Sequence, residues 1–417
     1  MLRKSLFLFL SVLVFSQTSC QKSRKVEGNV LSGLDVLIEN NFVTLAGKNI
    51  GLVTNQTAVA RDGRHAIDVL HQARACNLVA LFGPEHGIRG SEEAGQSLTS
   101  GKDAKTGLPI FSLYGAIKKP TKEMLSGIDV LVFDIQDVGT RFYTYISTMS
   151  LAMEAAAENN IEFIVLDRPN PIGGVVVEGP VLKPAFKSFV GVHEIALRHG
   201  MTIGELAILF NEQGWLAGGM RAKLNVVRMK NWRRDWYFDQ TGLKWVKPSP
   251  NMVSVNTALF YPGMGLLEAT NVSEGRGTDH PFELFGAPWI DALKLQQKLQ
   301  QAHIPAVKTD TTSFIPVDIP GVATNPKYKN QKCYGLDLTV TDRERFLSVR
   351  FGLEVLCAIR DLYPQQFSLK ERWMNLLTGT SEVYRDLHDG RSAQEIVAKW
   401  QPDLEQFKKL RQKYLLY

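Results

Sequence analysis

Val130-Leu131-Val132-Phe133 is an unbroken apolar run, and it stops at Asp134-Ile135-Gln136-Asp137-Val138-Gly139-Thr140-Arg141. A strand buried on one face alternates apolar and polar residues, whereas one buried on both faces reads as a continuous run of this kind. The design recurs. Leu78-Val79-Ala80-Leu81-Phe82 leads into Gly83-Pro84-Glu85-His86-Gly87, and the run from Ile161 to Leu166 leads into Asp167-Arg168-Pro169-Asn170-Pro171. An earlier run ends at Val53 and opens onto Thr54-Asn55-Gln56-Thr57. Helical patterns fall between the strands, over residues 67–75 and 142–159. Apolar strands alternating with helices predict an α/β fold with a parallel sheet covered on both faces. Ligands of such sheets bind beyond the carboxyl ends of the strands. The polar loops carrying Asn55, Glu85, Asp134, Asp137, Arg141, Asp167 and Arg168 are therefore expected to share a site.

Farther along, Thr202-Ile203-Gly204-Glu205 has the capping-box pattern and opens a helix to about residue 212. Residues 225–229 read as a strand. The stretch 247–288 is rich in Pro, Gly and Asn and reads as irregular. It contains Glu274-Gly275-Arg276-Gly277-Thr278-Asp279, a charged loop flanked by glycines. A helix is expected over 291–302, strands within 304–345, and helices over 346–362 and 392–415. The division this suggests is a larger domain over residues 31–275 and a smaller α+β domain over 276–417.

Residues 1–20 read as an export signal. Arg3 and Lys4 precede an apolar stretch from Leu6 to Phe15, too short to span a bilayer as a mature helix. Ser16-Gln17-Thr18-Ser19-Cys20 puts small residues before a cysteine, which suggests a bacterial lipoprotein with Cys20 lipidated. Gln17 stands where an aliphatic residue is usual, and ordinary cleavage is the alternative. Residues 21–30 form a polar tether. The expectation is a periplasmic protein anchored to a membrane through Cys20. The remaining cysteines, Cys76, Cys333 and Cys357, are odd in number, lack CxxC spacing and read as free thiols. The net charge of +6 is mild and no block of Lys and Arg occurs, so a nucleic-acid partner is not expected.

Several chemistries lack their motifs. There is no phosphate loop, no Gly-x-Gly-x-x-Gly after the first strand and no Gly-x-Ser-x-Gly elbow. His193-Glu194 with His199 misses the zinc-protease spacing. Neither a cofactor nor a metal is expected. The loops offer carboxylates, amides and arginines instead. Glycoside hydrolysis needs a carboxylic acid beside the leaving oxygen and commonly a second carboxylate. Glu85, just past an apolar strand and Pro84, is the acid candidate; a structural cap or a pair with Arg89 is the alternative. His86 either orients Glu85 or caps the loop. Asp137 is a candidate second carboxylate or, like Asp134, a helix cap. The fork of Arg141 suits a ligand carboxylate or a salt bridge to Asp137. Tyr143 and Tyr145 suit sugar stacking or core packing.

Five ordered segments together resemble the exo-β-N-acetylmuramidase family. They are Gly51 to Thr57, Leu81 to Gly90, Phe133 to Tyr145, Asp167 to Pro171, and Glu274 to Thr278. The resemblance implies a Rossmann-like N-terminal domain, a smaller C-terminal domain and a cleft between them. It implies release of N-acetylmuramic acid from non-reducing ends of peptidoglycan fragments, without metal or nucleotide, with Glu85 catalytic. The lactyl carboxylate of that sugar would be met by Arg141 or Arg276. Asn55, Gln56, Tyr143, Asp167, Arg168, Asn170 and Glu274 complete the expected substrate-binding set. The competing reading is a non-catalytic lipoprotein that binds peptidoglycan or muropeptides.

Overall fold

Buried-on-both-faces strands and intervening helices assemble here into a doubly wound sheet. The structure, a computed structural model, describes residues 28–85, 87–89 and 101–417. In chain order, the strands of the first half are β1 (Asn49–Thr54), β2 (Asn77–Gly83), β3 (Gly101–Lys102), β4 (Pro109–Ser112), β5 (Val130–Asp134), β6 (Glu162–Leu166), β7 (Glu178–Val181), β8 (Ala196–Arg198) and β9 (Lys223–Val227). Seven form one sheet in the order β3-β4-β2-β1-β5-β6-β9. Its neighbours run parallel except for the edge pair β3 and β4. The winding reverses between β1 and β5, which opens a crevice at their carboxyl ends. Strands β7 and β8 form a separate hairpin.

The helices of this half are α1 (Gly33–Glu39), α2 (Ala66–Gln72), α3 (Tyr145–Glu158) and α4 (Ile203–Glu212). They explain the continuous apolar runs. On β5, Val130 and Val132 pack with Leu34 and Leu37 of α1 and Ile67 and Leu70 of α2. Leu131 and Phe133 face the other way, into the core that holds Met149 and Met153 of α3 and Leu206 and Phe210 of α4. Each fully buried side chain of this kind contributes about 1.5–3 kcal/mol.

The second half adds α5 (Val255–Met264), β10 (Leu284–Ala287), α6 (Ala292–Gln301), β11 (Val307–Phe314), β12 (Cys333–Val340), α7 (Ser348–Leu362), α8 (Glu371–Thr378), α9 (Glu382–His388) and α10 (Ala393–Arg411). Its strands form an antiparallel sheet in the order β10-β12-β11. The expectation that residues 247–288 are irregular is corrected at α5. Pro262 and Gly263 read as breakers, but Ser254 caps the helix through the Thr257 N–H at 3.0 Å. The helix is also buried on nearly every side, so it shows no apolar stripe. Its glycine serves a close crossing with α7. A Cβ on Gly263 would lie 1.8 Å from the Ser348 carbonyl oxygen.

The two halves share one core, which continues from α3 and α4 through α5 and α7 to Trp400 and Phe407 of α10. Buried arginines add polar ties. Arg141 donates to the carbonyls of Pro180, Ile195 and Leu377 at 2.8, 2.9 and 3.0 Å. Arg411 donates to those of Gly174 and Gly200. Cys76, Cys333 and Cys357 are unpaired, and burial pushes the Cys333 and Cys357 thiols up to about 11.

Candidate active site

Strand β2 ends in Gly83 and delivers Glu85 to the crevice beside the β1–β5 reversal. Glu85 is half-buried and lines a recess with Tyr143, Tyr145, Tyr261, Arg276 and Phe282. The Thr144 hydroxyl donates to its Oε2 at 3.5 Å. The Tyr114 hydroxyl is bonded to the same carboxylate; burial, and then the charge of Glu85, push that phenol above its ordinary pKa. Arg89, the alternative partner for Glu85, binds Asp103 instead, at 2.9 and 3.0 Å.

The wall of the recess is aromatic. Tyr143 meets Tyr145 edge-on at 4.9 Å and Tyr261 at 5.9 Å, and Tyr261 meets Phe282 at 4.8 Å. Such contacts contribute about 0.5–1.5 kcal/mol each beyond their burial and fix ring orientation. Burial is the main reason that the Tyr143, Tyr145 and Tyr261 phenols stay neutral, with pKa values above the ordinary one. The Tyr145 hydroxyl donates to the Pro248 carbonyl at 2.6 Å. Gln56 donates to the carbonyls of Lys247 and Pro248 at 2.9 and 3.1 Å. These bonds hold the 247–249 segment against the recess, where Ser249 contributes to the lining.

Arg276 enters from the second half. Its guanidinium lies 5.1 Å from the centre of the Phe282 ring, 2.8 Å from Glu268 and 3.4 Å from Glu274. Glu274 also accepts from Lys327 at 2.9 Å. Burial opposes the charge of Arg276, but Glu268 and Glu274 outweigh it and hold its pKa above the usual guanidinium value. The recess thus brings one carboxylate, one fixed cation and several phenols together.

Of the residues expected in the site, Glu85, Tyr143, Tyr145 and Arg276 line the recess, and Asn55, Gln56 and Glu274 support its wall. The other described residues are held within the scaffold. Asp137 is buried behind the loop, where it accepts the Gly139 N–H at 2.7 Å and lies 3.4 Å from His199 Nε2. That makes it a turn cap, not a second carboxylate facing a sugar. Arg141 donates from its two terminal nitrogens to three carbonyls and holds no salt bridge to Asp137. Arg168 binds Asp134 in a buried fork, at 2.5 and 3.0 Å. Asp167 accepts from Thr202, Gly204 and Tyr417, each at 2.8 Å. Burial, and then the charge of Glu205, push its carboxyl up to about 7. Asn170 bonds the Met201 carbonyl and the Ile172 N–H. Asn55 is fully buried; its Oδ1 accepts from Thr57, and its side chain also bonds the Tyr145 phenol of the recess wall. His86 and Cys20 lie outside the described residues.

Tyr114, Thr144, Tyr261 and Phe282 went unnoticed in the sequence. Tyr114 and Tyr261 stand in apolar stretches without charged neighbours, whereas Thr144 and Phe282 lie close in sequence to residues already singled out, Tyr143 and Arg276.

Known proteins resemble this chain along nearly its whole length. Residues 50–256 match the family described as Exo-beta-N-acetylmuramidase NamZ, N-terminal, and residues 259–417 match its C-terminal counterpart. The chain is 46% identical over 425 residues to a Bacillus subtilis (strain 168) protein named Peptidoglycan beta-N-acetylmuramidase NamZ, with 100% of both covered. Two crystal structures of DUF1343 family proteins from Bacteroides fragilis NCTC 9343 are also similar. One has a TM-score of 0.86 at 39% identity, covering 93% of this chain and 99% of the other. The second has a TM-score of 0.77 at 34% identity, covering 94% and 99%.

Proposed function

The chain belongs to the exo-β-N-acetylmuramidase family, and from that premise we propose that it releases N-acetylmuramic acid from the non-reducing ends of peptidoglycan fragments, with Glu85 as general acid. The observation that carries the assignment of the acid is the setting of Glu85. It is half-buried in an aromatic recess at a strand end, and bonds from Thr144 and Tyr114 fix its orientation there. A carboxylic acid in this position protonates the glycosidic oxygen as its bond to the anomeric carbon breaks; water supplies the oxygen that the anomeric carbon gains, and the proton that the water loses restores the acid. The phenols bound the sugar, and Arg276 meets the lactyl carboxylate that distinguishes muramic acid from glucosamine.

The test is hydrolysis of p-nitrophenyl N-acetylmuramic acid glycoside by the purified chain lacking residues 1–20, beside its Glu85→Gln variant. The expected loss in the variant is at least about a hundredfold. Retained activity would move the acid elsewhere. An inactive but folded parent protein would favour a peptidoglycan-binding protein without catalysis. The protein is further proposed to work in the periplasm, tethered by a lipid on Cys20. Palmitate label is then incorporated by the intact protein and lost in Cys20→Ala; an unlabelled parent would mean ordinary secretion.

A further inference from the structure

Eight large apolar side chains are exposed among the described residues, and four of them, Leu293, Ile315, Val317 and Tyr334, fall on one strip of the second half. Single exposed apolar residues are ordinary on a protein surface, whereas clustered ones mark a binding surface. The strip starts in an open groove of about 790 Å³ between the first turn of α6 and the sheet. Ser313 of β11 pairs with Tyr334 of β12, so both side chains point to the same face. Farther along that face Leu336 and Leu338 are buried in the core with Leu295 and Leu299 of α6. The helix begins only after its Asp291 cap, and the face is left open at Tyr334, which is 42% exposed. Trp289 closes the far side, its Nε1 tied to the Tyr328 hydroxyl at 3.0 Å.

The strip leads to the recess. Exposed positions alternate along the chain as Thr311, Ser313, Ile315 and Val317. The Val317 N–H donates to the Gly277 carbonyl at 3.0 Å, next to Arg276. Val322 accepts from Asn251 at 2.7 Å, two residues from Ser249 in the recess lining. From Thr311 to Val317 the extended chain covers about 20 Å.

We infer that this strip is an extended glycan-binding site, which holds the sugar strand beyond the cleaved bond while the terminal N-acetylmuramic acid occupies the recess. The inference rests on the function proposed above and names where the rest of the polymer lies. The lining fits a glycan in particular. Trp289 and Tyr334 offer amphipathic rings to the apolar faces of sugars, and Thr311 and Ser313 offer hydroxyls to their equatorial oxygens. Lys332, with its ammonium 5.2 Å from the centre of the Tyr334 ring, supplies a cation for the carboxylates that recur on muramic residues.

The test uses the full chain with two substrates, peptide-free glycan strands and the p-nitrophenyl monosaccharide glycoside, in the Tyr334→Ala and Tyr334→Phe variants. Tyr334→Ala should raise KM for strands by about tenfold, the scale on which removing one well-placed interface aromatic acts. Both constants for the monosaccharide should stay unchanged, and Tyr334→Phe, which keeps the ring, should restore the strand KM. Unchanged strand kinetics in Tyr334→Ala, or equal losses on both substrates, would overturn the inference and leave the groove to a protein partner or a second copy. Calorimetric binding of the same strands separates this from failure of the enzymatic reading. If the parent protein hydrolyses neither substrate, strand binding that is lost in Tyr334→Ala still supports the groove. Binding that survives the substitution, or is absent in the parent protein, overturns it.

Discussion

Two polar clusters stand at the carboxyl side of one sheet, and they treat their polar atoms in opposite ways. At the ends of β5 and β6 and in the loops after them, Asp134 is bound by Arg168, Asp167 by Thr202, Gly204 and Tyr417, and the terminal nitrogens of Arg141 by three carbonyls. These groups are buried, and each answers a need created by the fold itself, since a buried loop must satisfy its backbone and its charges. Around the recess, Glu85 and Arg276 are also anchored, but their neighbours are phenols and rings that leave a space between them. Charge at a strand end thus marks a crevice. What marks a site within it is charge held at the edge of unfilled volume.

The largest expected effect breaks the scaffold side of this comparison. Asp134→Ala leaves the Arg168 guanidinium buried without its carboxylate, and removing one partner of a buried pair costs about 3–5 kcal/mol. Thermal unfolding should shift down accordingly, while the folded fraction keeps its KM for the monosaccharide glycoside. A changed KM with unchanged stability would mean that the Asp134–Arg168 pair belongs to the site.

Glu85→Gln sharpens the comparison from the other side. The substitution is nearly isosteric at a half-buried position, so stability should move by no more than about 0.5 kcal/mol while turnover collapses. A fall in melting temperature as large as that of Asp134→Ala would class Glu85 with the scaffold.

The same contrast sets how much the sequence revealed. Strands β1, β2, β5 and β6 were legible because burial on both faces writes itself as an apolar run. Helix α4 was legible because its capping box is local. Glu85 stood out because it follows such a strand directly. Arg141 was misread because nothing in its neighbours in sequence records Pro180, Ile195 and Leu377. The carbonyls that claim it arrive from a hairpin and from α8. Helix α5 was missed because complete burial erases periodicity, and Pro262 and Gly263 counted against it. Tyr261 was lost with it, although that phenol forms part of the recess wall. Local patterns therefore reported elements and strand ends, while the allotment of polar side chains to scaffold or site is a property of the tertiary fold.

The smallest of these effects concerns Arg276, where the two behaviours meet in one residue. Glu268 and Glu274 hold it as scaffold charges are held, yet it lines the recess and faces the phenols. Arg276→Ala would confuse the two roles, because it leaves Glu268 without its cation. Arg276→Lys keeps the positive charge for both glutamates and removes the planar fork that matches a carboxylate with two parallel bonds. Loss of one charge-assisted bond is worth about 1.5–3 kcal/mol, so KM for the N-acetylmuramic acid glycoside should rise by about ten- to a hundredfold. The matching N-acetylglucosamine glycoside lacks the lactyl carboxylate and should bind with unchanged KM. If both sugars weaken alike, Arg276 belongs with Arg141 as a structural cation, and the group that reads the lactyl carboxylate lies elsewhere on the recess wall.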